Sequence, residues 1–257
     1  MLHNTFCRRL AALVLTLAVA VSAVLPVFAV YPMPIQTATE TEAVYLFNAD
    51  TGKTLLTQNA DQPRYVASLT KLMTALLLLE SGKDLNGEVT VPTDLTQEFK
   101  DIQNANGTTM GLRIGETVRR IDLLNALLIT SANDAASVIA WDVGGSLNAF
   151  IQQMNARAAE LGCTSATFTC AHGLYDYGNV ASAEDMAKIA AACAANETFA
   201  QVAGSTTYTL GQTNFHSEQR TISSSNPLMD ASGAYYKDSV KWVKGGFTTL
   251  AGRCAVA

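Results

Sequence analysis

Between Val66 and Gly82 the chain reads VASLTKLMTALLLLESG, apolar on nearly every side of a helical wheel. Apolarity all round predicts a buried helix rather than a surface one. Ser68 is a residue type that caps helix N-termini and Gly82 one that stops helices, so the expected span runs between them. Upstream, Ala43 to Phe47 alternates as a strand does, Asn48-Ala49-Asp50-Thr51-Gly52 is a turn, and Lys53 to Gln58 is the returning strand of a hairpin. Residues 86–120 are polar and punctuated by glycine and proline, which predicts short elements and loops. Ile121 to Leu128 has helical spacing, and a second helix follows Thr130-Ser131-Ala132-Asn133-Asp134 as far as about Val143. Ser146 to Leu161 reads as an amphipathic helix stopped by Gly162, and Ala183 to Ala195 as another. Residues 204–226 are polar with strand-like parts. Val240 to Val243 is an expected strand leading into Lys244-Gly245-Gly246-Phe247-Thr248, and Gly252 to Val256 begins the next. Strands at both ends with helices between predict an α/β chain of the α+β type. Its antiparallel sheet is built from both chain ends, with helices on its faces and an inserted helical region.

Composition narrows this without changing it. At 257 residues, 49% hydrophobic and 15% charged, the chain can bury one substantial core. The net charge is −5 and no basic run follows the first residues, which argues against a nucleic-acid partner. The N-terminus reads as a targeting segment: His3, Arg8 and Arg9, an apolar run from Leu10 to Val27, then the small-residue site Val27-Phe28-Ala29. Residues 1–29 are therefore expected to be a signal peptide, whose removal takes the net charge from −5 to −7. An uncleaved membrane anchor is the alternative, and either way the domain is exported. Residues 30–41 are a linker and 42–257 the domain. Beyond Cys7, the four cysteines Cys163, Cys170, Cys193 and Cys254 are too few for a disulfide framework, and small buried thiols are expected. A Cys163–Cys170 bridge, or a zinc site adding His172, is the less favoured reading. No metal or cofactor is expected.

The candidate chemistry starts at Lys71. A lysine inside a buried helix is costly unless it is paired or its pKa is lowered. It follows Ser68 by three residues, so hydroxyl and amine share a helix face, the arrangement of an activated nucleophile. Alone, a Ser-x-x-Lys spacing is weak, because a lysine near a helix end also snorkels to solvent. Ser131-Ala132-Asn133 at a helix junction would alone be capping residues, and Lys244-Gly245-Gly246 alone a bulge or turn.

Together and in this order, Ser68-x-x-Lys71, Ser131-x-Asn133 and Lys244-x-Gly246 resemble the signature set of penicillin-recognising serine enzymes. The runs ASLTKLMTA from Ala67, SANDAA from Ser131 and His172-Gly173-Leu174 resemble the D-alanyl-D-alanine carboxypeptidases, the low-molecular-weight penicillin-binding proteins, and the likeness spans nearly all of residues 43–257. It implies a DD-peptidase/β-lactamase-like fold and removal of the terminal D-alanine from peptidoglycan stem peptides, with β-lactams as acylating inhibitors. It implies Ser68 as nucleophile, Lys71 as base and Ser131 as proton shuttle to the leaving amine. Asn133 would hold Lys71 and the substrate amide. Lys244 would attract the substrate carboxylate. Gly246 would let the substrate lie along a strand edge, Thr248 would contact it, and the Ser68 and Phe247 N–H groups would form an oxyanion hole.

Two departures from the family pattern stand out. Gly245 occupies the place of a threonine that usually helps bind the substrate carboxylate, a hydrogen bond worth about 1.5–3 kcal/mol; Thr248 is the nearby hydroxyl that could stand in for it. The sequence also stops at Ala257, where family members continue with a further strand and helix, and often a β domain and a C-terminal membrane anchor. On that ground the C-terminal part of the sheet is expected to be missing, and the chain as written to fold poorly. A class A β-lactamase is disfavoured, because no glutamate has an asparagine four residues later. The alternative from another class is a weakly catalytic or non-catalytic sensor of peptidoglycan or β-lactam, which Gly245 keeps open. Membrane association would run through the N-terminal segment or the missing anchor, and the expected location is the cell wall or the outer face of the cytoplasmic membrane.

Overall fold

The computed structural model describes residues 41–174 and 178–257. The expected signal peptide, almost all of the linker and Cys7 lie outside them. The first hairpin pairs β1 (Val44–Phe47) with β2 (Thr54–Gln58) in antiparallel register from Val44 opposite Gln58. Its turn is closed by Gly52 N–H donating to Asn48 O at 2.8 Å, with the Asn48 side chain accepting from Thr51 N–H at 2.9 Å.

The buried helix is α1 (Lys71–Glu80). Leu72, Met73, Ala75, Leu76 and Leu78 are all at most 2% exposed. Each large apolar side chain so buried contributes about 1.5–3 kcal/mol. The helix ends at Ser81, with Gly82 left-handed at φ +71°, as its sequence predicts. Its start differs from expectation. Ser68 does not cap it; Ser68 lies inside a 3₁₀ turn, Ala67–Thr70, that feeds the helix without any side-chain cap. The reason is local: Ala67 is left-handed and Thr70 Oγ1 bonds back to Ala67 O, so the Ser68 side chain turns to Lys71 instead.

Around α1 pack α4 (Asn133–Gly144), α5 (Leu147–Glu160), α6 (Ala183–Ala194) and α7 (Glu197–Ala203). Ser146 and Ser182 cap α5 and α6 through their hydroxyls, and Asn196 caps α7, a short helix the sequence pattern did not single out. Residues 86–120 resolve into β4 (Glu88–Thr90), α2 (Thr96–Asn104) and β5 (Thr117–Arg119), and α3 (Arg120–Asn125) follows. The strand-like parts of 204–226 are β7 (Thr207–Leu210) and β8 (Arg220–Ser223), paired with each other, while β3 (Arg64–Tyr65) pairs with β6 (Val180–Ala181).

The last hairpin pairs β9 (Lys244–Thr248) with β10 (Gly252–Val256), register Lys244 opposite Val256. The strand begins at Lys244, not at Val240. Residues 240–243 have no regular secondary structure, with Val240 N–H donating to Lys237 O at 3.1 Å and the Trp242 ring turned edge-on against Phe199 at 5.2 Å. Hairpins from both chain ends are therefore present and antiparallel. Among the described residues each is a separate two-stranded ladder, and the two meet through α6, which both touch. Cys163, Cys170, Cys193 and Cys254 are free thiols, so the Cys163–Cys170 bridge does not form. Among the described residues no helix is long and apolar enough to cross a membrane.

Candidate active site

Lys71 is fully buried, and three oxygens surround its Nζ: Asn133 Oδ1 at 2.7 Å, the His172 carbonyl at 2.7 Å and Ser68 Oγ at 3.0 Å. Burial drives this ammonium well below its ordinary pKa, Lys244 pushes the same way, and Cys170 and Asp134 oppose it. The neutral amine has two N–H bonds and one lone pair. Two of its three neighbours are carbonyl oxygens that only accept, so the lone pair has the Ser68 O–H to turn to. The hydroxyl is thereby paired with a base at the half-buried mouth of a helix.

The partners of Lys71 are themselves fixed. Asn133 Nδ2 donates to Thr108 O at 2.9 Å, which points its Oδ1 at the lysine, and its backbone N–H donates to the same carbonyl at 2.8 Å. Asp134 holds the neighbouring stretch by accepting from the N–H groups of Met110, Gly111 and Leu112, all at 3.0 Å. The His172 ring sits 2.9 Å from Glu98 Oε1, which also accepts from Ser137 Oγ at 3.0 Å.

Ser131 arrives by a break in helical winding. After α3 the chain widens into a π turn, Ala126–Thr130, closed by Ser131 N–H donating to Ala126 O, with Ala132 N–H reaching the same carbonyl at 3.1 Å. Ser131 then takes the left-handed conformation at φ +62°, unusual for a residue with a side chain, and α4 begins two residues later. The kink turns Ser131 into the cleft. Lys244 Nζ meets its Oγ at 2.9 Å and bonds the Gly245 carbonyl at 2.7 Å. Burial alone holds the Lys244 ammonium down at about 7.

Strand β9 forms the opposite wall. A side chain at Gly246 would place its Cβ 2.9 Å from Ser68 N, so only glycine lets the strand pass this close to the nucleophile turn. Gly173 presses on the same turn, and an added Cβ there would fall onto the Ala67 carbonyl. Ser68, Ser131, Asn133, Phe247 and Thr248 line one cleft of about 420 Å³, with Asn106, Thr108, Leu174 and Asn179 also on its walls. Lys71 and Lys244 lie behind that lining. Phe247 is 66% exposed at the rim, and Thr248 Oγ1 accepts from Ala251 N–H at 3.0 Å. The structure thus brings Ser68, Lys71, Ser131, Asn133, Lys244, Gly246, Phe247 and Thr248 together around one cleft, whereas Cys163 lies elsewhere, against the Asp185 carbonyl. It adds the His172 carbonyl, Thr70, Gly173 and Asn179, whose positions around the nucleophile no sequence spacing announced. His172-Gly173-Leu174 carried the family likeness but no assigned role.

The arrangement offers a hydroxyl paired with a depressed lysine, a second hydroxyl paired with a second depressed lysine, and a glycine-edged strand. A family model described as D-alanyl-D-alanine carboxypeptidase matches residues 32–257. The chain is similar to D-alanyl-D-alanine carboxypeptidase DacF of Bacillus subtilis (33% identity over 153 residues, 60% of this chain and 39% of the relative). It is similar to the D-alanyl-D-alanine endopeptidase of Escherichia coli (28% over 213 residues, 82% and 64%). Among solved structures it is similar to the Streptomyces K15 DD-transpeptidase (30% identity, TM-score 0.70, covering 82% of each chain). It is likewise similar to the D-alanyl-D-alanine carboxypeptidase of Mycobacterium tuberculosis H37Rv (25%, TM-score 0.71, 86% and 81%). The chain spans between 39% and 64% of these two curated relatives' lengths.

Proposed function

Because the chain belongs to the D-alanyl-D-alanine carboxypeptidase family, we propose that it is a serine-type peptidase that releases the terminal D-alanine from peptidoglycan stem peptides and is acylated by β-lactams. The observation that carries this reading is the 3.0 Å approach of the buried Lys71 Nζ to Ser68 Oγ, in the turn that leads into the buried helix. Ser68 Oγ attacks the carbonyl of the penultimate D-alanine while Lys71 takes its proton. The resulting oxyanion lies between the N–H groups of Ser68 and Phe247. The leaving amine must gain a proton, and Ser131, held at 2.9 Å by Lys244, is the hydroxyl placed to deliver it. D-Alanine departs, and water hydrolyses the ester on Ser68 by the same route in reverse. Lys244, while charged, draws the substrate carboxylate towards β9; Gly246 gives the peptide room along the strand, and Asn133 and Thr248 face it from opposite walls. Export follows from the apolar Leu10–Val27 stretch and the Ala29 site, placing the domain outside the cytoplasmic membrane, where peptidoglycan is found.

The test is incubation of the full chain with a fluorescent penicillin and, separately, with a diacetyl-Lys-D-Ala-D-Ala peptide. Covalent label on Ser68, lost in Ser68→Ala, together with released D-alanine is expected. Label that persists in Ser68→Ala would refute the assignment, and label without D-alanine release would make the chain a sensor.

A further inference from the structure

Ala67, immediately before the nucleophile, is left-handed at φ +46° and 3% exposed. An alanine in that conformation costs about 1–2 kcal/mol and persists only where neighbours enforce it. Here the enforcement is a directed chain of hydrogen bonds. Thr169 N–H donates to Asn179 Oδ1 at 3.3 Å, which sets the amide so that its Nδ2 donates to Thr70 Oγ1 at 2.6 Å. The Thr70 hydroxyl has one proton, and with Asn179 acting as donor that proton goes to Ala67 O, 2.8 Å away. Thr70 is fully buried and Asn179 is 3% exposed, so water does not compete for these bonds.

We propose that Asn179, acting through Thr70, is a positioning residue that aims the Ser68 N–H into the cleft. In a trans peptide group the C=O and N–H point in opposite directions in one plane. Anchoring Ala67 O therefore fixes the direction of Ser68 N–H, the donor that meets the developing oxyanion. Gly173 packs against the same carbonyl and against Thr70 Oγ1, so the anchored group has little room to turn. The relay touches neither Lys71 nor Ser131 by any of these bonds, so its loss weakens transition-state stabilisation while leaving the base as it was.

This inference rests on Ser68 being the acylated nucleophile, and one experiment separates the two. The rate constant of acylation by a fluorescent penicillin, its non-covalent dissociation constant and its pH profile are measured for the wild-type chain, Asn179→Ala, Asn179→Asp, Thr70→Val and Thr70→Ser, each on the folded fraction defined by a melt. Asn179→Asp keeps the volume but can only accept from Thr70, which draws the Thr70 proton away from Ala67 O. Acylation is expected to slow about tenfold in Asn179→Ala, Asn179→Asp and Thr70→Val, short of the loss from deleting an oxyanion donor outright. The dissociation constant and pH profile stay within about twofold of the wild-type values, and Thr70→Ser recovers most of the rate that Thr70→Val loses. A wild-type chain left unlabelled at Ser68 overturns the acyl-transfer reading itself. A labelled wild type with Asn179→Asp and Thr70→Val labelled at the same rate overturns the relay alone. If Asn179→Ala fails to fold, Asn179→Asp and Thr70→Val decide the matter.

Discussion

At Lys244 burial holds the ammonium down to about 7, within reach of ordinary assay conditions. Below that value Lys244 is charged and attracts a carboxylate; above it the side chain is neutral. The depressed Lys71 works in the opposite sense, since it serves as base only when neutral, and so contributes an acid limb rather than an alkaline one. The kcat/KM for a D-Ala-D-Ala peptide is therefore expected to fall as pH rises through about 7. In Lys244→Arg, whose guanidinium stays charged, that alkaline limb should disappear. A limb at the same pH in Lys244→Arg would assign it to another group. One residue further on, a Cβ at Gly245 would meet only the Cys254 carbonyl, at 3.9 Å, an ordinary contact, so the backbone there leaves room for a side chain to start. Gly245→Thr is expected to lower KM for the stem peptide by about tenfold or more, the worth of one hydrogen bond to a carboxylate, with the melt unchanged. An unchanged KM would mean that the carboxylate is gripped elsewhere.

Among the elements, the turn at Ala67–Thr70 is where sequence and structure part company most instructively. The pairing of Ser68 with Lys71 was legible because helical spacing alone puts residues three apart on one face. Ser131, Asn133 and Lys244 were legible only as a set, through family resemblance, since each alone is an ordinary cap or turn residue. The strain at Ala67 was not legible. It is imposed by Gly173 and Asn179, more than a hundred residues away, and alanine has no left-handed preference to betray it. The misplaced strand at Val240–Val243 has a similar cause: its apolar residues look inward, but Trp242 satisfies that demand by an edge-on contact with Phe199 from an irregular segment. Gly173→Ala tests the turn directly. The added methyl falls on the Ala67 carbonyl and the residue sits at φ +74°, so overpacking and strain should together cost about 1–3 kcal/mol. Both the melt and the Ser68 labelling rate should drop, and a methyl tolerated without loss in either would show that the turn can yield.

For the molecule as a whole, the cleft depends on parts that make no contact with substrate. Phe199 is fully buried in α7 and packs on Trp242, two residues before β9 begins. Phe199→Ala is expected to cost about 3–5 kcal/mol by chemical denaturation, and to reduce labelling by loosening the approach to β9. A loss below about 1 kcal/mol would mean that β9 is held by its hairpin partner alone. The bonds to Lys71 and Ser131 reach across the chain: Ser68–Lys71 spans three residues, but Asn133 lies 62 from Lys71, His172 lies 101 from it, and Lys244 lies 113 from Ser131. Closing loops of that length comes late in folding, after local helices have formed. Until those closures occur, Lys71 is an ordinary solvated amine and Ser68 an ordinary alcohol. On the reading proposed above, reactivity is therefore a property of the closed fold alone: a chain that has not yet brought these distant segments together carries no activated nucleophile for a β-lactam to trap.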